Sequence, residues 1–273
     1  MENLAQAQRL INEANIVIVV AGNGLAQLEG LDLLGQTAFD QTFPQLAQEY
    51  GVHSVASALE LKLASWPEQW LLWSKLIKAY SLDYQASQTM GELKELLANK
   101  QYFVATSTFG HFFEQAGFNQ KRIFNAFGDW TMMQCSSGIG HGIVSDREAV
   151  QALLAAGSAL NAALVPKCAI CGQPMEIHLP RNEHFYPDTD ANTRFRWFLT
   201  GNEEEQVAFL ELGVDETSPQ LLEPIIHLVE EFPQWSYVAA DLNQDELPMR
   251  IRARSAAVNA NTGDLLHALR MER

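Results

Sequence analysis

All three cysteines of this chain fall between Cys135 and Cys171. Cys168 and Cys171 stand as C-x-x-C, a spacing that lets two thiolates from one turn share a tetrahedral metal. Cys135 adds a third sulfur, and His141, in Ser136-Ser137-Gly138-Ile139-Gly140-His141, is the candidate fourth ligand of a Cys3His zinc site. His178 and His184 are reserve nitrogen donors. A module held by packing alone, with Cys135 a buried thiol, is the alternative. A second group of chemically able residues follows three apolar runs: Ala21-Gly22-Asn23-Gly24, then Thr106-Ser107-Thr108-Phe109-Gly110-His111, then Phe127-Gly128-Asp129-Trp130. Glycines after a strand let the backbone approach a pyrophosphate and aim N–H groups at it. The spacing is not G-x-G-x-x-G, so an ordinary glycine turn into a helix stays equally open. Asp129 reads either as a turn carboxylate accepting backbone N–H bonds or as a catalytic group. His111 reads as a helix-face residue or a ligand contact.

These residues need a scaffold, and six short runs supply strands: Ile16 to Val20, Tyr102 to Thr106, Arg122 to Ala126, Val207 to Leu212, Ser236 to Ala240 and Ser255 to Val258. Most are apolar at every position, which means a parallel sheet buried on both faces. Helical patterns lie between them, at Thr89 to Lys100, with Thr89 and Glu92 as a capping box, and at Leu221 to Glu231. The alternation predicts a doubly wound α/β fold whose ligands sit beyond the carboxyl ends of the strands. Two stretches interrupt it. From about Gly35 to Gln88, Phe39, Phe43, Trp66, Trp70 and Trp73 without a strand pattern predict a helical insertion packed over the sheet edge. Residues 135–198 hold the cysteines and read as a small irregular module, with 1–134 and 199–273 forming the Rossmann-like domain.

With 273 residues and 47% hydrophobic content the chain can bury a full core. A formal charge of −15 and the lack of a Lys/Arg run argue against nucleic acid and membrane surfaces as partners. The opening Met-Glu-Asn-Leu-Ala-Gln has no charged, apolar leader pattern, and the longest apolar run, Ile16 to Ala21, is too short to span a bilayer. The expected location is the cytoplasm, which also suits an odd number of thiols.

Taken in order, the glycine turn, the helix Thr106 to Gly117 ending in Ala116-Gly117, the Gly128-Asp129-Trp130 turn and Gln134-Cys135 resemble the sirtuins. More narrowly they are similar to the bacterial macrodomain-linked, class M group. Cys168-Ala169-Ile170-Cys171-Gly172-Gln173-Pro174-Met175 looks like that group's C-x-x-C-G-x-P-M, and Arg181, Phe185 and Asp188 fall on its R-x-x-x-x-F-x-x-D element. Phe209-Leu210-Glu211-Leu212-Gly213-Val214 with Thr217 and Pro219, and the closing Asn261-Thr262-Gly263-Asp264, extend the likeness over most of the chain. The resemblance implies a Rossmann-type domain with a zinc-ribbon-like module and NAD between them. NAD would lie against Ala21, Gly22, Asn23, Gly24, Ser107 and Thr108, with Gly213, Val214 and Thr217 nearby and Asp241 or Asn243 at the adenosine end. It implies cleavage of the nicotinamide glycosidic bond with transfer of ADP-ribose, and a lipoyl-carrier protein and a macrodomain protein as partners.

The chain departs from that pattern where the chemistry is done. The positions that carry Asn, Asp and His or Gln in the family read Thr108, Gly110 and Phe127. A phenylalanine can neither accept a proton from a ribose hydroxyl nor orient it. Three readings follow: an NAD or ADP-ribose binding protein with impaired catalysis, an active transferase in which Asp129, His111 or Arg181 takes over, and a non-enzymatic module regulating an active sirtuin.

Overall fold

The computed structural model describes residues 2–157, 159–214 and 218–271. Nine strands are named among them: β1 (Ile16–Ala21), β2 (Gln101–Thr106), β3 (Ile123–Asn125), β4 (Asp129–Cys135), β5 (Ile143–Ser145), β6 (Met175–His178), β7 (Val207–Leu212), β8 (Ser236–Ala240) and β9 (Ser255–Val258). Six of them form a parallel sheet in the order β3-β2-β1-β7-β8-β9. In chain order within that sheet this is 3-2-1-4-5-6, the doubly wound Rossmann arrangement, and the order reverses between β1 and β7. Every residue of β1 and of β7 is buried, as a strand covered on both faces must be.

One face of the sheet packs Val17, Val19 and Ala21 against the helices Glu2–Glu13, Gln88–Leu97 and Thr262–Arg270. The other packs Ile16, Ile18 and Phe103 against Thr189–Thr200 and Pro219–Glu231. The helix predicted at Thr89 to Lys100 starts one residue earlier, because Ser87, not Thr89, caps it by accepting from Met90 N. Glu92 is instead turned to His267 Nδ1 at 2.9 Å.

The aromatic insertion is helical, as its pattern predicts, with Gln36–Thr42, Pro44–Tyr50, Val55–Glu60 and Trp66–Ile77. Its packing partner differs from the expected sheet edge. Trp70 is fully buried and its Nε1 donates to Met175 O of β6 at 2.9 Å, while Trp73 lies under the Arg181 guanidinium, 4.8 Å from its ring centre. The insertion thus braces the small module. That module is ordered by an antiparallel sheet, β5-β4-β6. It starts at Asp129, upstream of the boundary drawn from the cysteines, and the helix Thr189–Thr200 on its far side belongs to the large sheet, with Phe195 against Phe103 at 5.1 Å.

Candidate dinucleotide cleft and its neighbours

A run of connected cavities follows the carboxyl ends of β1, β2 and β7, where the small module faces the large sheet. One part, about 820 Å³, is lined by Asn23, Gly24, Asp32, Leu33, Gly213, Val214 and Asp241. The next, about 590 Å³, shares Asn23 and Leu33 with it and adds Ser107, Phe109, Phe127, Arg181, Phe185 and Ser218. This lies at the topological switch point, where open α/β sheets take their ligands.

The glycines of the first turn serve the chain itself. A Cβ on Gly22 would stand 2.5 Å from Gly213 O, and one on Gly24 would stand 2.8 Å from Gly213 Cα. Gly22 N–H donates to Leu212 O at 3.1 Å and Gly24 N–H to Gly213 O at 2.8 Å, so both are engaged within the protein. Gly213, at φ +67°, completes this contact of two turns, and Val214 N donates to Glu211 Oε1 at 2.5 Å. Burial drives the Glu211 carboxyl up to about 7 against the hydrogen bonds it accepts from Val214 and Gly213.

The remaining predicted contacts divide. Asn23, Gly24, Ser107, Gly213, Val214 and Asp241 line the cleft. Ala21 and Thr108 do not line it: Ala21 O accepts from Ser107 N and from Thr106 Oγ1, and Thr108 Oγ1 is 2.8 Å from Thr106 Oγ1. Asn243 is tied to Glu246 and Asn259. Thr217 lies outside the described residues. Leu33, Leu59, Ser218 and Gln220 also form the wall and carry no local sequence signal; only the fold brings them there.

The three residues proposed for catalysis do not form one constellation. Arg181 lines the cleft, but its Nε donates to Leu59 O at 2.9 Å and its guanidinium stacks on Trp73, so it ties the insertion to the module. His111 and Asp129 line a different cavity, about 540 Å³, with Glu114, Asn125, Thr131, Asp146, Arg147, His178 and Arg194. There His111, at φ 64°, places Nδ1 2.5 Å from Asp129 Oδ2 and 3.7 Å from Glu114 Oε2. Burial opposes its charge, but the Asp129 hydrogen bond and charge outweigh it and lift His111 to about 9. Asp146 is pushed up to about 8 by burial and then by Asp129.

The cysteine group assembles as its spacing predicts. The ligand atoms of Cys135, His141, Cys168 and Cys171 all lie within 4.8 Å of one another, with Cys135 Sγ to Cys171 Sγ and Cys168 Sγ to His141 Nδ1 both 3.4 Å. Tetrahedral zinc with bonds of about 2.0–2.3 Å sets its donors roughly 3.3–3.8 Å apart, so the Cys3His set fits the ion. The C-x-x-C loop is a knuckle: Lys167 bridges Pro174, and Gly172 N donates to Cys168 O at 2.8 Å. Burial raises the Cys135 thiol, but hydrogen bonds from Ser137 and Cys171 outweigh it and hold it at about 6. His178 is no part of the group, its Nε2 lying 2.8 Å from Tyr186 O, and neither is His184.

Fold and cleft together define a Sir2-type architecture: a Rossmann-like parallel sheet, a small cysteine-bearing module and a cleft between them. Solved Sir2 structures superpose on nearly the whole chain. A Sir2 homologue in complex with NAD matches with a TM-score of 0.57 and 15% identity over 96% of this chain and 90% of its own. A structure from work on sirtuin substrate affinity reaches a TM-score of 0.61 at 14% identity over 97% and 96%. A mutant Sir2 homologue bound to ADP-ribose gives 0.58 at 14% over 96% and 93%. Among curated proteins, a protein ADP-ribosyltransferase of Staphylococcus aureus is 23% identical over 97% of this chain and 87% of its own length. A probable bifunctional ADP-ribose hydrolase/ADP-ribosyltransferase of Fusarium oxysporum f. sp. cubense is 24% identical over 81% of this chain, which spans only 39% of that protein. No family model matches the chain. No helix among the described residues is long and apolar enough to cross a membrane.

Proposed function

We propose that this chain holds NAD or ADP-ribose in the cleft beside β1 and β7 and transfers ADP-ribose poorly or not at all, as a relative of the class M sirtuins. The observation that carries this is the wall around Phe127. Among the described residues its polar members are Asn23, Ser107, Ser218, Gln220 and Arg181, and of these the only ionisable one is a guanidinium, which cannot act as a base near neutral pH. A ribose hydroxyl placed there meets, among the described residues, no group able to take its proton. His111 and Asp129, the residues that an active transferase would have to recruit, line the other cavity. Zinc held by Cys135, His141, Cys168 and Cys171 would staple the module that forms the second wall. A lipoyl-carrier protein as target and a macrodomain protein as partner complete the reading, on the strength of the sequence resemblance.

Calorimetry with NAD and with ADP-ribose tests binding. Saturable heat for either ligand, lost in Asn23→Trp, is the expected result; the new ring fills the point that the two parts of the cleft share. Absence of binding to both would favour the regulatory-module reading. Labelled NAD with a lipoyl-carrier protein tests transfer, and robust labelling by the unaltered chain would overturn the claim of impaired catalysis.

A further inference from the structure

We propose that His111, Glu114 and Asp129 form a binding site for a divalent cation of the Mn²⁺, Fe²⁺ or Zn²⁺ class, separate from both the dinucleotide cleft and the cysteine cluster. One ligand atom from each residue lies within 4.8 Å of the other two. The cavity that they line shares no residue with the wall around Phe127.

The carboxylates are held for this task by their far oxygens. Asn125 Nδ2 donates to Glu114 Oε1 at 3.0 Å, and Thr131 donates from N and Oγ1 to Asp129 Oδ1 at 2.8 and 2.7 Å. That leaves Glu114 Oε2 and Asp129 Oδ2 turned to His111 Nδ1. Fixing one oxygen so that the other presents itself is how outer partners orient metal ligands.

A second observation is independent of the clustering. Glu114 Oε2 is buried without a hydrogen-bond partner on a side chain only 8% exposed. Asp146 Oδ2, in the same cavity, is also buried and unpartnered. Buried acceptors are ordinarily satisfied, and among the described residues no ion pair joins either oxygen to Arg147 or Arg194, which line the same cavity. A cation would use both oxygens. One imidazole nitrogen with two carboxylates and no thiolate suits the metals named above, and three protein ligands in an open cavity leave positions for water.

The test uses protein whose cysteine cluster is already filled with zinc. Mn²⁺ is then titrated and followed by electron paramagnetic resonance, with elemental analysis after desalting. One further equivalent should bind, and Glu114→Gln, which keeps the shape and removes the charge, should weaken it at least about tenfold. Retention of the cysteine-bound zinc shows that the variant is folded, and Asp129→Asn gives an independent second lesion. No second equivalent of Mn²⁺ or Zn²⁺ in the unaltered protein would overturn the proposal, as would a second equivalent unaffected by both substitutions.

Discussion

Phe127 and Asp129 stand next but one to each other in the chain, yet they open onto cavities of opposite character. The cleft that Phe127 lines sits at the switch point of the sheet, where a nucleotide is expected, and its middle stretch is walled by Phe109, Phe127, Leu33, Leu59 and Phe185 with one guanidinium. The cavity that Asp129 lines shares no residue with that wall and carries four carboxylates, Glu114, Asp129, Asp146 and Asp188, with the imidazoles of His111 and His178 and the guanidiniums of Arg147 and Arg194. In this molecule the place for the ligand and the place rich in titratable groups have come apart. A fold positions a cleft through its topology, but proton transfer needs particular side chains within hydrogen-bond reach, and topology does not supply them.

The largest expected effect is on transfer. On the proposal that Phe127 stands at the ribose, turnover should fall about 10²–10⁴-fold or more below an enzyme carrying a base there, in an assay that counts labelled ADP-ribose on a lipoyl carrier. Phe127→Gln alone should restore little. The fuller repair with Gly110→Asp meets an obstacle, because a Cβ at Gly110 would fall on the buried Phe112 ring. Phe112→Leu added to that pair should therefore be needed before activity appears; activity from Phe127→Gln alone would show that Gly110 is no lesion.

Next comes the staple, which bears on both cavities because the small module walls each of them: Leu179, Arg181 and Phe185 on one side, Asp146 and His178 on the other. Replacing Cys168 and Cys171 together by serine should remove bound zinc and loosen hydrogen-exchange protection in 129–178 far more than in β1 and β7, since structural zinc contributes folding free energy to the unit it closes. His141→Ala should lower zinc affinity as well; an undiminished equivalent would exclude His141 as the fourth ligand.

A smaller effect distinguishes the two turns that meet at the cleft floor. Gly24→Val should cost stability whatever the ligand, because its Cβ would press on Gly213 Cα, so the variant should melt early in urea even without NAD. Loss of NAD affinity in that variant alone therefore says little about phosphate contact, which is why Asn23→Trp is the sharper probe. Smaller again is the contribution of Glu211. Its folded pKa of about 7 is raised above the unfolded value, so its share of stability is present below about pH 4.5 and is lost as pH rises through 7. Glu211→Gln should flatten that decline, by an amount on the order of 2 kcal/mol between pH 5 and 8, read from urea midpoints. An unchanged slope would place the pH dependence elsewhere.

The chain's own pattern determined the parallel sheet, because most of the six runs that form it are apolar on both faces and a covered parallel sheet buries them that way. It also determined the cysteine group, since C-x-x-C plus two further donors within a short module must converge if they are to share an ion. The strands β4, β5 and β6 were not legible: Asp129–Cys135 mixes acid, aromatic, thioether and amide side chains, and the other two are of three and four residues, too short for a period to register. Tertiary structure alone decided that the insertion braces the small module, through Trp70 and Met175. It alone decided that the glycines of the first turn face Gly213, and that His111 and Asp129 meet outside the cleft. Spacing along a chain reports which residue types are available, whereas the face that each one presents is set by the direction in which the backbone leaves the strand. At His111, in a left-handed turn just after β2, that direction leads away from the nucleotide cleft and toward Glu114 and Asp129.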